Sequence, residues 1–223
     1  MTEHRRFRDR AEAGRVLAGL LGEYAGRDDL LVLALPRGGV PVGFEIALAC
    51  RAPLDIFVVR KLGVPGHEEL AMGAIATGRV RVLNVDVIDT LGIPARAVDQ
   101  VTAAEVLELE RRERDYRGGR AAPDVVGRTV ILVDDGLATG ATMRAAVAAL
   151  RARQPARIVI AVPTAAPSTC AEFRAEVDDI ICAMTPDPFE AVGLWYDDFS
   201  QTTDAEVHDL LARANPPHPT TAG

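Results

Sequence analysis

Apolar residues between Phe7 and Tyr24 recur mostly at three- and four-residue steps: Phe7, Ala11, Val16, Leu17, Leu20, Leu21 and Tyr24. That spacing predicts an amphipathic helix. The short apolar run Leu30–Leu35 predicts a strand, stopped by Pro36-Arg37-Gly38-Gly39. A helical stretch from Val42 to Cys50 and a second strand at Asp55–Val59 follow. A polar loop is expected from Lys61 to Leu70. Ala74–Thr77 and Val80–Leu83 flank Gly78-Arg79 and predict a hairpin. A long charged helix is expected over Ala95–Tyr116, with Glu108 to Arg114 forming a solvated face. Gly118-Gly119 and Pro123 then break the chain.

The second half alternates more regularly. Val130–Val133 reads as strand, Met143–Arg153 as helix, Ile158–Val162 as strand, Ser168–Glu176 as helix and Asp179–Cys182 as strand. Strands alternating with helices imply parallel pairing through right-handed crossovers, hence an α/β domain. A last helix, Asp204–Ala214, gathers Val207, Leu210, Leu211 and Ala214 on one face. We therefore expect one domain over residues 1–214 and a disordered tail over 215–223.

Composition narrows the class. The chain has 223 residues, 48% of them hydrophobic, enough apolar material for a sizeable core. A net charge of −7 argues against a nucleic-acid partner while allowing a local basic pocket. Among 25 basic residues only Lys61 is a lysine, so any motif that requires lysine can be tested at one position. Cys50, Cys170 and Cys182 match neither a disulfide framework nor a metal-binding spacing, which fits a reducing cytoplasm. Glu12, Arg15 and Glu23 interrupt the N-terminal apolar pattern, so no signal peptide is expected, and no apolar run is long enough for a membrane span.

The chemistry is concentrated in Val130–Met143, VILVDDGLATGATM. An apolar strand runs into Asp134 and Asp135, then a small-residue loop with Thr139, Gly140 and Thr142, then a helix. Ligands of open parallel sheets bind beyond the carboxyl ends of the strands. Loop amides at a helix N-terminus can cradle a phosphate. Two carboxylates just before that cradle can accept hydrogen bonds from vicinal sugar hydroxyls, so the composite is a ribose 5-phosphate site. No GxxxxGK[ST] or strand-following GxGxxG competes with it. Ser168 and Ser200 are the only serines and neither stands in a GxSxG elbow, which sets aside a serine hydrolase. A second strand end, Leu35–Gly39, offers Gly38 and Gly39 for close backbone approach to an anion and Arg37 as a charged donor.

Asp134 to Thr142 resembles the phosphoribosyl pyrophosphate (PRPP) signature of type I phosphoribosyltransferases. Arg60–Ala76 together with Met184–Gln201 most resembles a bacterial subgroup of that family whose acceptors are unassigned, and the overall resemblance covers about Phe7 to Leu211. The resemblance implies a central, mostly parallel sheet flanked by helices, with a small hood placed at 184–201. It implies that Asp134 and Asp135 hold the ribose 3′- and 2′-hydroxyls. Ala138, Thr139, Gly140, Ala141 and Thr142 would then bind the 5′-phosphate. Arg37, Gly38 and Gly39 would form the pyrophosphate loop, often with a cis peptide. Arg60 or Lys61 would meet the diphosphate from a flexible loop, where His67, Glu68 and Glu69 read as solvated and Glu68 or Glu69 could assist proton movement. Trp195 or Tyr196 could stack on the acceptor, or this stretch could be a loop that plugs the domain with its aromatics. LATG is closest to the adenine-specific branch, and Ala138 departs from the aspartate of the hypoxanthine-guanine branch. The implied activity is Mg²⁺-dependent transfer of the phosphoribosyl group to a nucleobase-like nitrogen. A non-catalytic PRPP sensor is the alternative, and relatives of this type are commonly homodimers.

Overall fold

Residues 6–215 are described by the structure, a computed structural model. The tail expectation for 216–223 lies outside these residues. In chain order the elements are α1 (Arg10–Leu20), β1 (Leu30–Ala34), α2 (Gly39–Cys50), β2 (Leu54–Ile56), β3 (Val59–Val64), β4 (His67–Ala76) and β5 (Val80–Leu83). There follow α3 (Val85–Leu91), α4 (Ala95–Arg117), β6 (Thr129–Val133), α5 (Ala141–Arg151), β7 (Arg157–Thr164), α6 (Pro167–Phe173), β8 (Asp179–Met184) and α7 (Asp204–Ala214).

Five strands form a parallel sheet in the order β2-β1-β6-β7-β8, and β3-β4-β5 form a smaller antiparallel sheet. All five residues of β1 and of β6 are buried, as central strands covered on both faces must be. Side-chain alternation divides the core. Leu30, Val32, Ala34, Ile131 and Val133 pack with residues of α1, α2, α4 and α7, whereas Leu31, Leu33, Val130 and Leu132 pack with α5 and α6. Only β1 has its two sheet neighbours reached by chain running in opposite directions from it, so the topological switch lies between β1 and β6. The carboxyl ends of those two strands carry the LPRGG loop and the Asp134-Asp135 pair.

The expected strand Asp55–Val59 is shared between two sheets. Phe57 N–H still donates to Ala34 O at 2.9 Å, but Val58 N–H turns to the Thr77 hydroxyl at 2.9 Å, and β3 begins at Val59. The polar loop expected over Lys61–Leu70 is instead most of β3 and the start of β4. Pro65-Gly66, with Gly66 at φ +78°, makes a tight turn joining paired strands. Long-range pairing supplies what the side chains do not, since His67, Glu68, Glu69 and Leu70 are exposed. The hairpin of Ala74–Thr77 with Val80–Leu83 stands as expected, extended by β3. Helix α3 has no counterpart in the sequence expectations; none of its residues is buried.

The far end of α4 is fixed to the sheet by a buried ion pair. Arg117 Nε lies 3.0 Å from Asp55 Oδ1, and Arg117 Nη2 donates to Ile56 O at 2.9 Å. Removing Asp55 leaves the buried Arg117 guanidinium with Glu113, 3.0 Å from its Nη1, as its remaining carboxylate partner. Asp55→Ala is expected to lower unfolding stability by about 3 kcal/mol in urea titration, and a loss below about 1 kcal/mol would contradict the pinning role. Among the described residues no helix is long and apolar enough to cross a membrane.

Candidate functional site

The two strand-end loops meet at the switch point. Leu35 N–H donates to Val133 O at 2.8 Å, which carries the β1–β6 register into the loops. A Cβ on Gly38 would fall 2.0 Å from Asp135 Oδ2, and one on Gly39 would fall 2.7 Å from Val133 O. Glycine at both positions is therefore a condition of this approach, not a matter of backbone freedom. The Pro36–Arg37 peptide is cis.

Desolvation sets the electrostatics of the pair. Burial, and then the neighbouring Asp135 charge, push the Asp134 carboxyl well above the usual carboxylate range. Burial also raises Asp135, and the Arg10 guanidinium opposes that rise. Arg10 Nε and Nη2 each lie 2.9 Å from Asp135 Oδ2, with the two side chains 11% and 17% exposed. Asp135 N–H donates to Asp134 Oδ1 at 2.9 Å.

The loop after the carboxylates has its carbonyls turned inward. Leu137 O accepts from Ala166 N–H at 3.0 Å and Ala138 O from the Thr169 hydroxyl at 2.7 Å. Thr139 O accepts from Arg144 Nη1 at 2.9 Å, and Gly140 O from Arg144 N–H at 2.8 Å. The N–H groups of Thr139, Gly140, Ala141 and Thr142 make no hydrogen bond among the described residues. Gly140, at φ +71°, makes the left-handed entry into α5 against the Phe173 ring. Four unpaired N–H groups at the start of an eleven-residue helix are free to accept an anion.

The remaining expected residues divide. Lys61 lies on the face of β3 that looks across a cavity of about 650 Å³ to Ala141 and Thr142; its Nζ is 3.5 Å from Glu69 Oε2. Arg60, one residue earlier, faces the other way, with Nε donating to Glu105 on α4 at 2.7 Å. The Arg37 side chain turns toward α4 and α7, with Nη1 3.6 Å from Asp204 Oδ1. It lines a cavity of about 520 Å³ with Arg111, Arg112, Tyr116 and His208. Glu108, Arg111 and Arg112 form the expected surface charge ladder on α4, and its two arginines also face Arg37.

Tyr196 is 3% exposed, between Phe7 and Phe199, and its hydroxyl donates to the Asp135 backbone carbonyl at 2.6 Å. That burial leaves it bracing Asp135, with no ring face open for stacking. Trp195 is half-buried against the same small aromatic cluster.

Arg10 is the residue that sequence reasoning passed over. The signal was present: Arg10 shares a stripe of α1 with the buried Ala13, Gly14 and Leu17, and a charge on a buried stripe requires a partner. Thr169 and Arg144, which brace the cradle, carry no such mark.

The phosphoribosyl transferase domain matches residues 9–197. The chain is 38% identical to TT1426 of Thermus thermophilus, over 93% of this chain and 98% of that one, with a TM-score of 0.82. Two Mycobacterium tuberculosis proteins, from strains CDC 1551 / Oshkosh and H37Rv, each bear the name "Putative phosphoribosyl transferase". Both are 47% identical over 209 residues, which is 94% of this chain and 47% of each relative. The chain thus spans about half the length of the curated relatives it matches.

A carboxyl whose folded pKa stands above its unfolded value subtracts from stability once pH rises past that unfolded value, about 3.9 for Asp. Asp134→Asn removes this penalty. The variant is expected to be more stable than the parent in urea titration at about pH 8, with the gap closing toward about pH 3. A less stable variant at the higher pH would contradict the assignment. Gly38→Ala is expected to cost about 1–3 kcal/mol in the same measurement, because the new methyl group overlaps the Asp135 carboxylate; unchanged stability would contradict the packing.

Proposed function

The chain belongs to the phosphoribosyl transferase domain family, and on that premise we propose that it transfers the 5-phosphoribosyl group of PRPP to a nucleobase-like nitrogen, releasing diphosphate. The observation that carries this reading is the four-amide cradle directly following two strand-end carboxylates. The 5′-phosphate occupies the N–H groups of Thr139 to Thr142, where the α5 dipole adds to them. Asp134 and Asp135 accept hydrogen bonds from the ribose hydroxyls. Arg37, with the Gly38-Gly39 backbone, serves the diphosphate. Lys61 approaches the bound donor from β3 across the cavity it shares with Thr142.

In the transfer, the acceptor nitrogen forms a bond to C1′ as the C1′–O bond to diphosphate breaks. The bonding pair leaves on the diphosphate oxygen, and the acceptor's proton passes to solvent. Positive charge grows on the ribose during this displacement, and the adjacent carboxylates offset it. Negative charge grows on the leaving group, where Lys61 and the Arg37 loop would offset it.

The donor set fits a Mg²⁺ ion carried by the substrate. Among the described residues no group of three or more His, Cys, Asp or Glu is placed to hold a metal, and Mg²⁺ commonly keeps its waters and is carried by substrate phosphates. A Mg²⁺ ion brought in with PRPP beside Asp134 and Asp135 would neutralise charge on the leaving group.

Mass spectrometry of the protein with PRPP, Mg²⁺ and a panel of nucleobases and related nitrogen heterocycles tests the reading. A product equal in mass to acceptor plus phosphoribosyl, absent with Asp134→Asn/Asp135→Asn, is expected. Donor binding without any such product, for every acceptor tried, would contradict turnover and favour a PRPP sensor.

A further inference from the structure

Arg10 takes no part in the transfer outlined above, yet its guanidinium makes contacts in three directions. Nε and Nη2 both reach Asp135 Oδ2. Nη1 donates to Ser200 O at 2.7 Å, and the guanidinium carbon lies 4.0 Å from the Phe199 ring centre. Asp135 is consequently tied to one short stretch of chain twice, directly at its carbonyl and through Arg10 at its carboxylate. Its backbone carbonyl takes the Tyr196 hydroxyl, and its carboxylate takes the guanidinium stacked on Phe199. The Tyr196 and Phe199 rings are themselves 5.1 Å apart.

We propose that Arg10 is a positioning residue that couples the donor site to the aromatic segment Trp195–Ser200. The inference rests on the donor-site reading given above. A guanidinium is a planar, rigid fork, so its three nitrogens move together. A carboxylate that reorients toward ribose hydroxyls takes with it the two nitrogens bound to Oδ2. The third nitrogen and the stacked plane must follow, which alters the bond to Ser200 O and the contact with Phe199. Donor occupancy is in this way passed to the segment beside the sheet ends, where an acceptor would approach the donor.

The only tryptophan of the chain, Trp195, lies in this segment and reports on it. The test titrates Mg²⁺-PRPP into the wild-type chain, Arg10→Lys and Arg10→Met, reading affinity by calorimetry and Trp195 emission in parallel. Lysine can place one cation beside Asp135 but has no second arm for Ser200 O. The wild-type chain is expected to bind with a saturable change in emission. Arg10→Lys should bind within about threefold of wild type with at most about half of that change, and Arg10→Met should lose about tenfold or more in affinity.

A full emission change in Arg10→Lys, or wild-type binding with no emission change, would overturn the coupling alone. Absence of PRPP binding by the wild-type chain would overturn the donor-site reading and the coupling with it. Thermal melts establish that each variant is folded. If the Arg10 variants are not, Phe199→Ala removes the stack while leaving the Asp135 contact. It is expected to reduce the emission change with affinity retained, and an undiminished change would overturn the coupling.

Discussion

Two neighbouring carboxylates at the end of a fully buried strand are expensive to fold around, and most of the local structure answers that cost. Asp134 and Asp135 leave β6 where both faces of the sheet are covered, so both are half-buried and partly stripped of water. Desolvation raises both groups, and the Asp135 charge makes Asp134 harder still to ionise. The compensations come from distant parts of the chain. Arg10 supplies the cation from the first turn of α1, and the Tyr196 hydroxyl holds the Asp135 backbone carbonyl. Gly38 leaves the volume that the Asp135 carboxylate fills. A buried carboxylate pair so heavily supported costs stability, as is common where function opposes folding.

The parallel sheet makes the arrangement geometrically available. Its switch point lies between β1 and β6, so two loops diverge from adjacent strand ends and leave a crevice between them. One loop ends in the anion cradle, whose N–H groups point outward because α6 and Arg144 take the carbonyls from behind. The antiparallel sheet then places Lys61 opposite the first turn of α5. Each part is ordinary alone. Lys61 and Thr142 share one cavity, Arg37 lines a second, and the carboxylates stand at the strand end where the two loops diverge.

Much of this was legible in the sequence where the signal is local. The DD-loop-helix segment, the LPRGG turn and the alternation of strands with helices each depend on neighbouring residues, and all appear where expected. Long-range pairing was less visible. Polar residues from His67 to Leu70 read as a loop, although Pro65-Gly66 carries the turn signal that joins β3 to β4. Arg60 and Lys61 could not be separated from composition alone; their opposite facing on β3 follows once the strand is known. An aromatic near a site can stack, which is why the sequence points Tyr196 toward the acceptor. Its hydroxyl partner, a backbone carbonyl 61 residues away, leaves no mark in the sequence.

The central claim is that the Asp134–Thr142 segment of this family member holds the donor. A crystal structure of the chain with Mg²⁺ and PRPP tests it most directly. The account predicts the 5′-phosphate within hydrogen-bond distance of the Thr139 to Thr142 amides, with the ribose hydroxyls on Asp134 and Asp135. Phosphate density elsewhere, with the cradle holding only water, would contradict it.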